Sequence, residues 1–322
     1  MPVTAFPDPL EPLRERVRLS FNRMLEESSD LLGEIGLYGF HAGGKLLRPL
    51  VFLLDLECLG RPLGDQDIRN SLVFETVHLA SLLHDDIVDL SSTRRGRRTA
   101  HLVYGVPETV LAGDFLAAAA GRLAVDTGSL GFISRLQESL TALARGALSE
   151  LQARFKTDLT EEEYLKIIRA KTAVLFTAAA GGAAALAEAS AETEALLVSH
   201  ALNFGLSFQI VDDVLDYRAD PGKLGKPLHQ DLKEGRITLP FILARDFLDG
   251  PPLARLLELG AKTDKSQEDL VEINDLVLLG RGPERARERA GEYLARALKA
   301  LEPLPGSVRL RELSILSLDR SS

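Results

Sequence analysis

At 322 residues the chain lies near the upper limit for one hydrophobic core, so one large or two medium domains are expected. Its 45% apolar and 26% charged residues are those of a soluble globular protein, which excludes disorder over most of its length. A formal charge of −9, from 38 basic residues against 47 acids, excludes general electrostatic attraction to nucleic acid or an anionic membrane, and the one cysteine excludes an intrachain disulfide.

The N-terminal stretch "MPVTAFPDPLEPLRERV" has prolines and acids where an export signal needs a basic start and an apolar core, so a cytoplasmic location is expected. From its end onward, Leu13, Val17, Phe21, Met24 and Leu25 recur at spacings of three and four, which predicts an amphipathic helix. Turn signals in "HAGGKLLRP", "LGRPLGDQ", "STRRGRRT", "YGVPET", "ADPGKLGKP" and "FLDGPP" separate further helical blocks. Cys58, within "VFLLDLECLG", reads as a buried structural thiol. The run "AVLFTAAAGGAAALA" at 173–187 is too short and too rich in Ala and Gly to cross a bilayer, so it reads as a tightly packed internal helix and no integral membrane segment is expected. Residues 250–290 read as shorter amphipathic helices joined by polar turns. Strand-like alternation is scarce and there is no βαβ rhythm. The fold class is therefore all-α with ten or more helices, and the lack of a linker or fixed-period repeat favours a single domain over 1–322.

Two of these helical segments carry a cluster of acids. "LLHDDIVDL" (82–90) and "FQIVDDVLDY" (208–217) each place a DDxxD among apolar neighbours. On a helix, Asp85 and Asp89 share a face one turn apart and Asp86 lies about 100° round; Asp212, Asp213 and Asp216 repeat the arrangement. Like charges so spaced cost about 0.2–0.5 kcal/mol per exposed pair, and more when buried. One such motif is equally well a solvated acidic face, but the apolar flanks call for a facing cation. Oxygen donors without a Cys or His cluster suit Mg²⁺, which usually binds one or two carboxylates together with substrate phosphates. Two facing carboxylate sets around phosphate-bridged Mg²⁺ are expected.

Basic residues border these segments: Lys45 and Arg48 in "GGKLLRP", Arg94 and Arg95 in "STRRGRR", Lys171 in "RAKTA", and Lys226 and Arg236 in "LGKPLHQDLKEGR". Each alone reads as a surface charge; together they predict a diphosphate cradle, with Arg gripping oxygens bidentately and Lys acting as a point charge. His78, two helical turns before Asp85, reads either as a hydrogen-bonded core group or as facing the same cavity. His84 is ambiguous, because "HD" also marks metal phosphohydrolases, yet none of the six histidines has a convincing metal spacing.

The ordered series from "GGKLLRP" through "HLASLLHDDIVDLSSTRRG", "LAGDFL", "KTAVLF" and "FQIVDDVLDY" to "LGKPLHQDLKEGRITLP" spans nearly the whole chain, and it resembles the trans-isoprenyl diphosphate synthases, or polyprenyl synthetases. The resemblance implies an all-helical enzyme with a central cavity, usually a homodimer, that extends an allylic prenyl diphosphate with isopentenyl diphosphate. It implies Mg²⁺, three ions per active site, on Asp85, Asp86, Asp89, Asp212 and Asp216, with Asp213 joining or supporting them. Lys45, Arg48, His78 and Arg95 match the isopentenyl diphosphate site, and Arg94, Lys171, Lys226 and Arg236 the allylic diphosphate site. Thr172 and Gln209 match polar positions near the reacting carbon and, with Lys171 and Lys226, make up the implied catalytic set.

In this family bulky aromatics at the positions of Ala80 and Ser81 give short products; the small side chains here imply a long-chain all-trans product, with Phe115, Leu116 or Phe132 as a deeper floor. The chain departs from the usual pattern at Leu46, where Arg is common, at His229, where Gly is common, and at Arg236, where Lys is common. Other readings stay open: a short-chain (C15–C20) synthase, a non-catalytic regulatory subunit of a heteromeric synthase, and a terpene cyclase or head-to-head coupling enzyme.

Overall fold

A computed structural model describes residues 8–28, 30–218 and 229–318. Among the described residues the structure is helical, apart from one hairpin of two residues per strand, β1 (Thr93–Arg94) and β2 (Arg97–Arg98). The all-α reading therefore holds. The chain forms two compact units, one of Met1–Leu136, Ala179–Glu194 and Leu304–Leu313, the other of Gln137–Ala178, Ala195–Pro303 and Ser314–Ser322.

In the first unit α1 (Glu11–Glu26) buries the expected stripe of Leu13, Val17, Phe21 and Leu25, while Met24 is half-buried. The Asp30 carboxylate caps α2 (Leu31–Phe40) by accepting from the Gly33 amide at 3.1 Å. Helix α3 (Leu47–Cys58) and the 24-residue α4 (Asp65–Val88) follow, and α4 is buried along most of its length from Asp67 to Leu83. After the hairpin come α5 (Ala100–Tyr104) and α6 (Val106–Asp126), which packs along α4. Phe52 of α3, Phe74 of α4 and Phe132, in the first turn of α7 (Leu130–Gln152), interlock with ring centroids 5.4–5.9 Å apart. Each fully buried ring contributes about 1.5–3 kcal/mol. Cys58 is half-buried rather than buried, and burial, then Asp55, pushes its thiol up to about 11.

In the second unit α8 (Glu161–Ile168) starts on a Thr160–Glu163 capping box and runs through a π turn (Arg169–Ala173) into α9 (Val174–Leu186). The Ala/Gly run is thus the second half of a 26-residue helical stretch, Glu161–Leu186, longer than the run alone indicates. This stretch and Ala191–Tyr217, within α10 (Ala191–Arg218), are long and apolar enough to cross a membrane, with 67% and 44% of their most apolar windows buried inside the protein. Beyond lie α11 (Gln230–Lys233), α12 (Leu239–Arg245), α13 (Gly250–Gly260), α14 (Gln267–Leu279), α15 (Gly282–Ala300) and α16 (Val308–Leu318). The expected short amphipathic helices of 250–290 close over Phe241, Leu256, Leu259, Ile273 and Val277, all fully buried.

Candidate active site

The first unit gathers cations beside one end of α4. Residues 43–46 lead into α3, where Leu46, at the N-cap, adopts a left-handed φ of 52°. The β1–β2 register pairs Arg94 with Arg97, leaving Arg95–Gly96 as a two-residue loop, and their φ values of 50° and 78° are those a type I′ turn requires. That loop brings Arg95 to the glycines before α3: a Cβ built on Gly44 would sit 3.5 Å from Arg95 Nη1 and 3.9 Å from Glu75 Oε1. Lys45 is exposed, and its carbonyl accepts from Arg14 Nε at 3.1 Å.

Glu75 and His78, one turn apart on α4, face this cluster. Burial raises the Glu75 carboxyl while Arg48 and Arg95 oppose the rise. Burial pulls Arg48 down to about 10, against the attraction of Glu75, so it stays charged at neutral pH. Burial, then Arg48, Arg94 and Arg95, hold His78 well below the usual imidazole value, leaving a neutral ring with one N–H to donate.

Seven residues beyond His78 the first aspartate motif begins. Asp86 is buried and fully engaged: Arg94 Nε donates to its two oxygens at 2.8 and 3.0 Å, and Arg94 Nη2 lies 2.8 Å from Oδ1. Asp85 and Asp89 are half-buried. His84 turns away to α6, its Nε2 3.2 Å from the Val110 carbonyl and 3.5 Å from Asp114; a Cβ at Gly113 would lie 2.3 Å from that nitrogen. Its role is to join α4 to α6. Ala80 is buried and Ser81 half-buried, with Ser81 Oγ donating to the His78 carbonyl at 2.8 Å.

The second unit holds a cavity of about 170 Å³ whose walls include Lys171, Thr172, Gln209, Asp212, Asp213 and Arg236. Lys171 and Thr172 stand in the π turn, and such turns recur at functional sites because they re-aim consecutive side chains. Two glycines seat that turn. A Cβ on Gly146 of α7 would lie 2.9 Å from the Lys171 backbone nitrogen, and one on Gly205 of α10 would lie 2.8 Å from Ala173 Cα. The Lys171 ammonium pairs with Glu150.

A hydrogen-bonded chain crosses the cavity wall: Thr172 Oγ1 donates to Gln209 Oε1 at 2.8 Å, and Gln209 Nε2 donates to Asp213 Oδ1 at 2.8 Å. Tyr164 donates to Asp213 Oδ2 at 2.6 Å. Burial, then Asp231, pushes the Asp213 carboxyl well above its usual range, while Tyr164 and Gln209 act the other way. Asp212 is half-buried on the cavity wall. Asp216 accepts from the amides of Gln230 and Asp231 at 3.2 and 3.1 Å, capping α11. Arg236 Nε donates to Asp231 at 2.9 Å, and the guanidinium also pairs with Glu234. His229 has a φ of 63°, the left-handed conformation in which glycine carries no Cβ penalty. Lys226 lies outside the described residues.

Among the described residues no three His, Cys, Asp or Glu side chains converge tightly enough to hold a metal by themselves. Asp85, Asp89 and Asp212 are half-buried carboxylates, the hard oxygen donors that suit Mg²⁺ completed by phosphate oxygens. Sequence reasoning missed Glu75, Glu150, Tyr164 and Asp231. Only Glu75, one turn before His78, and Asp231, inside the last basic motif, had a positional signal.

A family model described as polyprenyl synthetase matches residues 29–277. Octaprenyl diphosphate synthase of Escherichia coli (strain K12) is 33% identical over 289 residues, 90% of this chain and 89% of that protein. All-trans-nonaprenyl-diphosphate synthase (geranyl-diphosphate specific) of Rhodobacter capsulatus is 36% identical over 305 residues, 93% of this chain and 92% of that protein. The crystal structure of polyprenyl synthase from Caulobacter crescentus CB15, complexed with calcium and isoprenyl diphosphate, matches with a TM-score of 0.89 at 32% identity, covering 97% of each chain.

Proposed function

The chain belongs to the polyprenyl synthetase family, and from that premise we propose that it condenses isopentenyl diphosphate with an allylic prenyl diphosphate into a long-chain all-trans polyprenyl diphosphate. The observation that carries this reading is the cluster of Arg48, His78 and Arg95 on Glu75, next to the first aspartate motif. A cyclase or head-to-head coupling enzyme needs no isopentenyl diphosphate site, which is the role these residues suit.

Lys45, Arg48, His78 and Arg95 hold isopentenyl diphosphate, with neutral His78 donating its N–H. Arg94, Lys171, Lys226 and Arg236 hold the allylic diphosphate. Asp85, Asp89, Asp212 and Asp216 would be the ligands for three Mg²⁺ ions, with Asp86, held by Arg94, and Asp213, held by Tyr164 and Gln209, supporting them. When bound, Mg²⁺ would supply positive charge to offset the negative charge growing on the departing diphosphate. Arg94, Lys171 and Arg236 add to that neutralisation, so the allylic C–O bond breaks to leave a carbocation. Arg48 and Arg95 fix the isopentenyl double bond for attack, and Thr172 and Gln209 fix polar groups near the reacting carbon. A C–C bond forms and the proton then lost passes to the released diphosphate.

Small Ala80 and Ser81 leave room for a growing tail, and Phe132, locked against Phe52 and Phe74, supplies a rigid apolar stop. We place the enzyme in the cytoplasm as a homodimer; exposed Leu102, Val103, Val106, Val110 and Leu111 on α5 and α6 give an apolar face for a second copy. Purified protein supplied with Mg²⁺, isopentenyl diphosphate and geranyl, farnesyl or geranylgeranyl diphosphate should give long-chain products, and Ser81→Phe should shorten them. C15–C20 end products would identify a short-chain synthase, and no elongation from any primer a regulatory subunit.

A further inference from the structure

We infer that Glu150 is a built-in competitor for Lys171, holding its ammonium until a diphosphate displaces the carboxylate and so loosening the site's grip on that ligand. The inference rests on the reading of Lys171 as a diphosphate-binding residue.

Three observations carry it. The Lys171–Glu150 ion pair is inside the cavity of the second unit, with each side chain 20% exposed, so the pair is poorly screened yet reachable by a ligand. Its geometry is built in: Gly146 and Glu150 are one turn apart on the same face of α7, so the helix that seats the Lys171 backbone also grips its side chain. The charge balance makes the grip matter. The cavity wall carries Glu150, Asp212, Asp213 and Asp231 against Lys171 and Arg236, and Arg236 is paired with Asp231 and Glu234. Both cations therefore have carboxylate partners before any anion arrives. The Glu150 carboxylate offsets the Lys171 charge and occupies one of its three N–H donors, so an incoming diphosphate gains the full attraction of Lys171 only as Glu150 gives it up. A glutamine at 150 would keep the shape and the accepting oxygen while removing the charge.

The consequence is weaker binding and faster release of diphosphate. Glu150→Gln should lower both the KM for the allylic primer and the Kd for inorganic pyrophosphate with Mg²⁺, each by about 3- to 10-fold. Glu150→Asp, which keeps the charge, should leave both within about 2-fold of the parent. The measurement is calorimetric titration of the intact protein with magnesium and pyrophosphate, alongside steady-state KM and kcat and the melting temperature of each variant. Lys171→Ala serves as the reference. If it leaves pyrophosphate affinity unchanged, the assignment of Lys171 fails. If it weakens affinity while Glu150→Gln leaves affinity unchanged or weakens it, the Glu150 proposal is overturned. Weakening with a raised Mg²⁺ requirement would make Glu150 a metal ligand instead.

Discussion

Asp55 is fully buried in the middle of α3, and neither carboxylate oxygen has a hydrogen-bond partner among the described residues. Burial holds its pKa well above the ordinary 3.8. A raised folded-state value means that the stability it permits is full below pH 3.8 and erodes as pH rises towards the folded value, at about 1.4 kcal/mol per pH unit. Asp55→Asn should therefore melt like the parent near pH 3.8 and progressively higher above it; thermal melts from pH 4 to 8 check this, and a pH-independent difference would contradict it. The aspartate and arginine motifs were legible because their spacing on a helix or turn is itself the signal. Glu150 and Tyr164 were not, since a single polar residue on a helix looks like a solvated one until tertiary packing supplies its partner. At His229 the departure from glycine was visible, but its physical meaning, a left-handed backbone that costs a side chain about 1 kcal/mol, was not.

Among the elements, the π turn at 169–173, which carries Lys171 and Thr172, matters most to the proposed chemistry. Hydrophobic periodicity marks the helices on either side of it but cannot register one extra residue in a turn, so the continuity from Glu161 to Leu186 was illegible. The hairpin was legible as a turn, because "RRG" supplies the glycine that its second position needs. Packing at the π turn is exacting: the atoms facing a Cβ at Gly146 belong to Ala170 and the Lys171 backbone, with no flexible side chain to yield. Gly146→Ala should cost about 1–3 kcal/mol of stability and raise the KM for the allylic primer, because the backbone that aims Lys171 must shift. Denaturant melts and primer titrations test both effects, and an unchanged KM would show that Lys171 tolerates the displacement.

For the molecule as a whole, the all-α class followed from period-3.6 patterning in nearly every block. The two compact units did not, because at four of its five crossings, inside α7, α9, α10 and α16, the chain passes between them within a helix, leaving no linker at those points for composition to reveal. Each unit carries one aspartate motif, and the proposed function needs both for its first step, departure of the allylic diphosphate. Single-turnover release of pyrophosphate from geranyl diphosphate, with Mg²⁺ and isopentenyl diphosphate present, measures that step directly in Asp85→Asn and Asp212→Asn. Each variant should be slower than the parent by about 100-fold or more while keeping its fold. A rate within about 3-fold of the parent in either variant would contradict the account, because one motif would then suffice for ionisation.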